Sequence, residues 1–118
     1  IGARHMLRYA SANGYLPVVQ FLVERGADVA IDDNIALRIA SQHGHLPIVQ
    51  FLVEHGADIT AEYGEALHSA CVCDQLPVVQ YLISVGANIP AIDGSTMRLT
   101  RARGLHHIIQ YIKSLTQN

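Results

Sequence analysis

The chain has little charge of either sign and no long apolar segment, and each shortage excludes a class of function. Its formal net charge is −2 with 15% charged residues, so it lacks the excess of cations that draws proteins to nucleic acids or anionic membranes. Apolar runs such as residues 21–23 fall far short of the roughly 18 to 20 residues that span a bilayer. Residues 1–6 lack the apolar stretch of a secretory signal. We expect neither a nucleic-acid nor a membrane partner.

Cysteine is scarce, since Cys71 and Cys73 are the only two in the sequence and one residue separates them. On a helix, side chains two positions apart point in different directions, so a disulfide between them would have poor geometry. Reduced thiols are the simpler interpretation, and they favour a reducing compartment. The expected location is therefore the cytoplasm or the nucleus.

What the chain does have is an internal repeat with a fixed period. The segment Leu-Pro-Val-Val-Gln-Phe-Leu-Val recurs with conservative changes and then in a weaker fourth copy, at residues 16–23, 46–53, 76–83 and 106–113. A second marker, Gly-Ala-Asp or Gly-Ala-Asn, keeps the same step at residues 26–28, 56–58 and 86–88. Because half of the 118 residues are apolar, the copies carry enough hydrophobic surface for one domain.

Each copy is predicted to form two short helices. In the second copy the first helix runs from Ile35 to His43 and ends at Gly44, because helices commonly stop at a residue with positive φ, which glycine adopts without penalty. Pro47 then opens the second helix, where its missing amide hydrogen is not needed. Helices this short are marginal in water, so neighbouring copies must stack to cover their apolar faces. The pattern predicts an all-α repeat solenoid.

The block at residues 36–49 and the tetrapeptide at residues 65–68 resemble the ankyrin repeat. The resemblance covers almost the whole chain and implies a single domain of four helix-turn-helix repeats, at about residues 1–28, 29–58, 59–88 and 89–118. Ankyrin repeats usually have about 33 residues, and the missing residues fall in the β-hairpin finger, which predicts stubby hairpins or tight loops. The short repeats are also similar to ankyrin proteins of giant amoeba-infecting viruses, which extends the expected location to a virus-infected host cell.

The resemblance implies recognition of a partner protein through a concave face lined by the first helices and the loop tips. Carrying over the family's variable positions gives candidates of two kinds. At the ends of the first helices they are Asn13, Gln42, His43, Cys73 and Arg103. In the loops they are Asp32, Asp33, Asn34, Glu62, Tyr63, Ile92 and Asp93. Acidic loops beside the arginines of the first helices indicate a partner with a basic or amphipathic segment.

An architectural or self-associating spacer is the alternative function. The last repeat has the polar outer side expected of a C-terminal cap, and the residues concerned are Arg101, Arg103, His106, His107 and Lys113. The N-terminal side is apolar around Met6, Leu7, Tyr9 and Tyr15. That side could stack against another copy, so the chain is expected to be a monomer or to self-associate weakly.

Seven histidines and two cysteines also invite a metal-binding or catalytic interpretation. Zinc needs about four ligands converging at roughly 2.0–2.3 Å, whereas equivalent side chains of stacked repeats lie roughly 8–10 Å apart. The same spacing separates a Cys–His nucleophile pair, which needs contact near about 3 Å. The glycines already end helices, so no phosphate-binding loop remains. We expect no enzyme activity, no metal and no cofactor.

Two positions depart from the pattern in ways that the structure can test. Cys71 stands where the resemblance implies a small buried alanine, so a core thiol is expected there, with Cys73 more exposed. Asp74 replaces the glycine found at the equivalent positions of the other copies. A non-glycine residue at positive φ loses on the order of 1 kcal/mol, with aspartate among the tolerated types.

Overall fold

Eight α-helices follow one another in the computed structural model, which describes residues 2–87 and 94–116. In chain order they are α1 (Ala3–Asn13), α2 (Leu16–Glu24), α3 (Ile31–Gln42), α4 (Leu46–Glu54), α5 (Ala61–Val72), α6 (Leu76–Ser84), α7 (Gly94–Ala102) and α8 (His106–Thr116). The described part of the chain contains no β-strand. Four consecutive helix pairs result, so the predicted all-α repeat solenoid is confirmed.

Proline and glycine set the ends of the second helices. A proline lies in the first turn of each of α2, α4 and α6. Past their last residues come Gly26, Gly56 and Gly86, with φ of 97°, 96° and 106°. A side chain with a Cβ is disfavoured there, because in left-handed backbone the Cβ crowds the following carbonyl oxygen. Both kinds of boundary agree with the sequence prediction.

The helices pack in two layers. The first helices of the pairs (α1, α3, α5 and α7) contact one another along the stack, and the second helices (α2, α4, α6 and α8) do the same. The core runs between the layers as one continuous band, in which Leu37, Leu52, Leu67 and Leu82 are fully buried. The molecule is elongated, 44 × 23 × 20 Å, as expected when each repeat covers only its neighbours.

The connection from α2 leads into a left-handed turn at the start of α3. Asp32, Asp33 and Asn34 have φ of 53°, 56° and 63°, so right-handed helical backbone begins only at Ile35. Asparagine and aspartate are among the few residues with a Cβ that tolerate this conformation. The Arg38 guanidinium stabilises the turn by donating to the carbonyl oxygens of Asp32 and Asp33, both at 3.2 Å. Of the two predicted alternatives, the tight loop is the one found between these helices.

Asn34 ties this turn to the next repeat. Its side chain is only 5% exposed, and its Oδ1 accepts a hydrogen bond of 2.8 Å from the backbone amide of Asp58. The residue was expected at a loop tip that meets a partner, and the structure instead gives it an internal role. Asn34 is therefore less accessible to a partner than the exposed Asp32 and Asp33.

Changing Asn34 to glycine should lower the free energy of unfolding by about 1–2 kcal/mol, because the partly buried amide of Asp58 loses its acceptor. The matched change Asp33→Gly relieves the same left-handed conformation at an exposed position, so we expect it to leave stability within about 1 kcal/mol of wild type. Urea unfolding followed by circular dichroism measures both. Equal effects of the two changes would contradict a role for the Asn34 side chain.

Asp58 closes a local turn with Thr60. Its Oδ1 accepts hydrogen bonds from the Thr60 hydroxyl, at 2.6 Å, and from the Thr60 amide, at 2.8 Å. These bonds favour the carboxylate, and the hydroxyl bond contributes most to lowering the pKa of Asp58 below its ordinary value.

The lowered pKa of Asp58 predicts a pH-dependent difference between wild type and Asp58→Asn, which keeps the acceptor oxygen but removes the charge. Since the folded pKa lies below the unfolded one, the stabilisation is complete above about pH 4 and is lost as the pH falls through the folded pKa. Wild type should therefore be the more stable at pH 7, and the difference should shrink in strong acid. Urea midpoints across this range test it, and a constant difference would contradict the assignment.

The two ends of the stack differ in the polarity of their exposed side chains. One residue that was predicted to belong to the apolar N-terminal side does not. Leu7 is buried in the core and does not contribute to the apolar N-terminal side, whereas Met6, Tyr9 and Tyr15 are exposed as expected. At the other end Arg101 is exposed at the position where Ser41 and Cys71 are buried in the preceding repeats. The C-terminal end therefore has the polar character of a cap.

Candidate functional site

Hydrogen bonds from each repeat close the end of the first helix of the repeat before it. The last turn of a helix leaves backbone carbonyls without partners in the helix. Here three such carbonyls, one every 30 residues, each accept from a side chain of the following repeat. The pairs are His45 Nε2 with Ala12 O (3.0 Å), Gln75 Nε2 with Gln42 O (3.1 Å) and Arg103 Nη1 with Val72 O (2.9 Å). We call this set the carbonyl ladder; in it His45 is the Nε2–H tautomer, because a carbonyl only accepts.

The ladder gives a second reason, besides the positive φ, why glycine is needed at two positions. A Cβ built on Gly14 would lie 2.9 Å from the His45 ring, and one on Gly44 would lie 2.1 Å from Gln75 Oε1. The side chain from the next repeat thus lies directly across each glycine. In the third copy Asp74 stands at this position with φ of 60°, and the donor comes from Arg103 instead.

The predicted contact residues at the ends of the first helices differ in their exposure and in the hydrogen bonds that they form. Gln42 and His43 are exposed, and the His43 ring faces His45 with 6.2 Å between centroids. Asn13 is exposed but donates its Nδ2 to Tyr9 O at 2.8 Å. Cys73 is half-buried. Arg103 is exposed and also a member of the ladder, so part of its donor capacity is already used.

Three of the predicted loop residues, Asp32, Asp33 and Glu62, lie in the first turns of α3 and α5. Asp32, Asp33 and Glu62 are exposed, and Asp32 Oδ2 forms a surface ion pair of 3.4 Å with Arg4 Nε. Glu62 has φ of 53° and repeats part of the left-handed turn in the next copy. Ile92 and Asp93 lie outside the described residues, as does the Tyr63 side chain.

A row of basic residues, separated by the 30-residue step, runs across the first helices. Its members are Arg8, Arg38, His68 and Arg98. Arg38 is held by the turn carbonyls, and His68 Nδ1 contacts Thr96 Oγ1 of the next repeat at 2.5 Å. Arg8 and Arg98 are exposed. Together with the acidic turns they make a surface of mixed charge, which we call the first-helix face.

Sequence reasoning missed the linking role of His45 and Gln75. Each follows a left-handed residue by one position, His45 after Gly44 and Gln75 after Asp74, and both fill the same register position. A polar side chain recurring directly after the residue that ends the first helix is the signal that could have revealed them. The donor that replaces them, Arg103, stands two residues earlier in its own repeat, so register alone would not have identified it.

The histidine, cysteine and carboxylate side chains of the described residues do not come together into a metal site. Within residues 2–87 and 94–116, no group of three or more His, Cys, Asp or Glu side chains could hold a metal ion. Cys71 is buried in the core, and burial raises the pKa of its thiol to about 12. That confirms the expected core thiol, with Cys73 the more accessible of the two. In the same described ranges, the helices lack the combined length and hydrophobicity needed to cross a bilayer.

A family model described as "Ankyrin repeats (3 copies)" matches residues 7–93, well over half of the chain. The matched range begins within α1 and includes α2 to α6, and α7 and α8 continue the stack beyond it. No curated protein matches the chain. Repeats of this family are in general protein–protein interaction modules and not enzymes. The family match, the 30-residue period and the four stacked helix pairs agree, and the chain belongs to the ankyrin repeat family.

Proposed function

We propose that this ankyrin stack recognises a partner protein through the first-helix face, which corresponds to the concave face of the family. The observation that carries the proposal is how residues vary along the register. Positions that face the core stay apolar or small from copy to copy, whereas the ends of the first helices change chemistry freely, as in the exposed Asn13, His43 and Arg103 and the half-buried Cys73. Stacking does not dictate the residue type at Asn13 or His43, so these side chains are available for recognition, whereas Arg103 also donates to Val72 O of the preceding repeat.

The chemistry of the face supports a partner segment that is basic or amphipathic. The left-handed turns present the carboxylates of Asp32, Asp33 and Glu62 along one side. Positively charged groups of a partner would be attracted to this side, most strongly at low ionic strength. Exposed apolar surface on the face is limited, so most of the affinity would come from a few buried anchors of the partner.

We place the interaction in a reducing compartment, the cytoplasm or nucleus, including that of a virus-infected host cell. Cys71 and Cys73 are both free thiols, which supports such a location. The likeness to ankyrin proteins of giant viruses remains a resemblance of short repeats, and it motivates a host-cell lysate as the source of partners.

The proposal is tested by affinity capture with a variant designed around the backbone of the turns. The face variant combines Asp33→Asn, His43→Ala and Glu62→Asn. Asparagine is used because Asp33 and Glu62 have positive φ, which asparagine tolerates better than most residues. All three positions are exposed, so the fold should be kept, and equal melting temperatures would verify that.

A matched control variant carries its changes on the second helices and alters the net charge of the protein by the same amount. It combines Glu24→Gln, Glu54→Gln and Gln80→Ala, all exposed positions of the second helices. A protein retained by wild type and control but lost from the face variant supports the proposal. If wild type, control and face variant retain the same proteins, or if none retains any, recognition by this face is wrong and the spacer function takes its place.

A further inference from the structure

Charge is unevenly distributed along the stack, although the net charge of the whole chain is only −2. All ten Asp and Glu residues and four of the eight Lys and Arg residues lie in residues 1–93, which therefore carry a formal charge of −6. The other four Lys and Arg residues lie in residues 94–118 and give that part a formal charge of +4. They are Arg98, Arg101, Arg103 and Lys113. The pair of α7 and α8 is thus a basic end on an otherwise acidic stack.

Three arginines of this basic end lie on α7 or directly after it. Arg98 and Arg101 are about one helical turn apart, and Arg103 follows the last residue of α7. All three are exposed, and among the described residues none of them forms an ion pair with a carboxylate. Arg103 donates Nη1 to Val72 O, which leaves most of the five N–H groups of its guanidinium free. We call these three residues the α7 basic region.

Neither helix stability nor solubility requires arginine at all three positions. The helix dipole favours a cation only at Arg101, in the last turn of α7, and like charges three residues apart slightly destabilise a helix. A cap needs polar side chains, but not of one sign. The positions of Arg98 and Arg103 are exposed or half-buried in the earlier repeats too, for example at His68 and His43, so their exposure does not depend on the end of the stack. Their charge is therefore available for an anionic ligand.

We propose that the α7 basic region binds an acidic segment of a partner protein, whose carboxylates accept hydrogen bonds from the guanidinium groups. Arginine and carboxylate form charge-assisted and often paired hydrogen bonds, which are among the strongest in proteins. Opposite charge would select such a segment over a neutral or basic one. The inference goes beyond the function proposed above, because a protein that does not contact the acidic turns at Asp33 and Glu62 could still bind here.

A nucleic acid fits the same region less well. Single-stranded nucleic acid gains much of its affinity from bases that stack on aromatic side chains, and α7 contains none. Duplex DNA carries one charge per about 1.7 Å of its axis, so a duplex that extends over the neighbouring repeats meets the formal charge of −6 on residues 1–93. A short run of carboxylates, in contrast, can end where the basic region ends.

Fluorescence anisotropy of a labelled peptide of twelve glutamates tests the proposal. We would measure binding at about 0.1 M salt, where exposed charges more than about 10 Å apart are largely screened from each other. Arg98→Glu should weaken binding by about three- to tenfold, because a repulsion replaces an attraction, and Arg98→Gln should weaken it less. Arg8→Glu is the matched control, since Arg8 is exposed at the same position of the first repeat, and it should change the affinity less than about twofold.

Three outcomes would overturn the proposal. Wild type that does not bind the glutamate peptide would show that the basic region has no affinity for carboxylates. Equal weakening by Arg8→Glu and Arg98→Glu would mean that the peptide responds to the charge of the whole protein. Tighter binding of a twelve-nucleotide oligothymidylate, which has nearly the same charge as the peptide, would make nucleic acid the ligand. Thermal unfolding of each variant shows whether it is folded, and Arg98→Gln tests the same contact without reversing the charge.

Discussion

Replacing Gly44 with alanine should lower the free energy of unfolding by about 2–3 kcal/mol. At its φ of 75° a residue with a Cβ loses about 1–2 kcal/mol. The added Cβ would also lie 2.1 Å from Gln75 Oε1 and 2.6 Å from Gln75 Cδ. Gln75 must then move away, and its hydrogen bond to the Gln42 carbonyl, worth about 1 kcal/mol, is lost. Urea unfolding of purified wild type and variant measures the difference.

Gly104 provides the control for the backbone contribution. Its φ is 68°, and an added Cβ would meet nothing within 4 Å, so Gly104→Ala should lose only about 1–2 kcal/mol. The reverse change, Asp74→Gly, should raise stability by up to about 1 kcal/mol, since Asp74 already occupies this conformation at φ of 60°. Equal losses at Gly44 and Gly104 would mean that Gln75 readjusts freely, and the ladder would then contribute little to stability.

Cys71 should react with N-ethylmaleimide at least about a hundredfold more slowly than Cys73 in the native protein. The thiolate is the reactive form, and a pKa raised to about 12 by burial leaves only about one thiol in ten thousand ionised at pH 8. The Cys71 side chain is also inaccessible, with 0% exposure. Reaction at Cys71 therefore requires the stack to open. Mass spectrometry of peptides after timed labelling gives both rates.

Single-thiol variants separate the two sites. Cys73→Ser leaves only Cys71, and Cys71→Ser leaves only Cys73; serine suits the buried position because Ser11 and Ser41 occupy it in the first two repeats. In urea the two thiols should react alike. If native Cys73→Ser protein were labelled as fast as native Cys71→Ser protein, α5 would have to open locally without unfolding of the whole stack.

Much of the fold could be predicted because its determinants are local and recur. Pro47 marks a helix start and Gly44 a helix end through their own backbone preferences. The 30-residue step repeats the proline at Pro17 and Pro77 and the glycine at Gly14 and Gly104, with Asp74 at the glycine position of the third copy. The missing residues of the hairpin finger predicted a shorter connection. They did not predict its hand, because Asp, Asp and Asn are common in turns of many types. The Arg38 guanidinium bonds to the carbonyls of two of these three consecutive left-handed residues, and the sequence pattern did not indicate that contact.

The site was harder to predict because its residues are defined by contacts between repeats. Asn34 and Asp33 are adjacent and both polar, yet one is buried against Asp58 and the other is exposed. Arginine is a residue type usually found on the surface, and only the stacking of repeats brings Arg103 to the Val72 carbonyl. Such distances depend on how one helix pair lies on the next, and residue type does not encode that. The candidate residues His43 and Glu62 stay predictions until a partner is identified.

The carbonyl ladder changes what counts as one exchangeable unit of this protein. Gly14 is matched to His45 and Gly44 to Gln75, so each matched pair spans a boundary between repeats as the period defines them. A recombination event that exchanged a whole repeat would separate a glycine from its partner at both junctions. Because each glycine and its partner are 31 residues apart, one more than the period, a crossover at any point between Gly14 and Gln75 also separates at least one pair. Evolution or engineering of longer arrays should therefore succeed more often when the repeats that are joined already carry the matching glycine and donor, wherever the crossover lies.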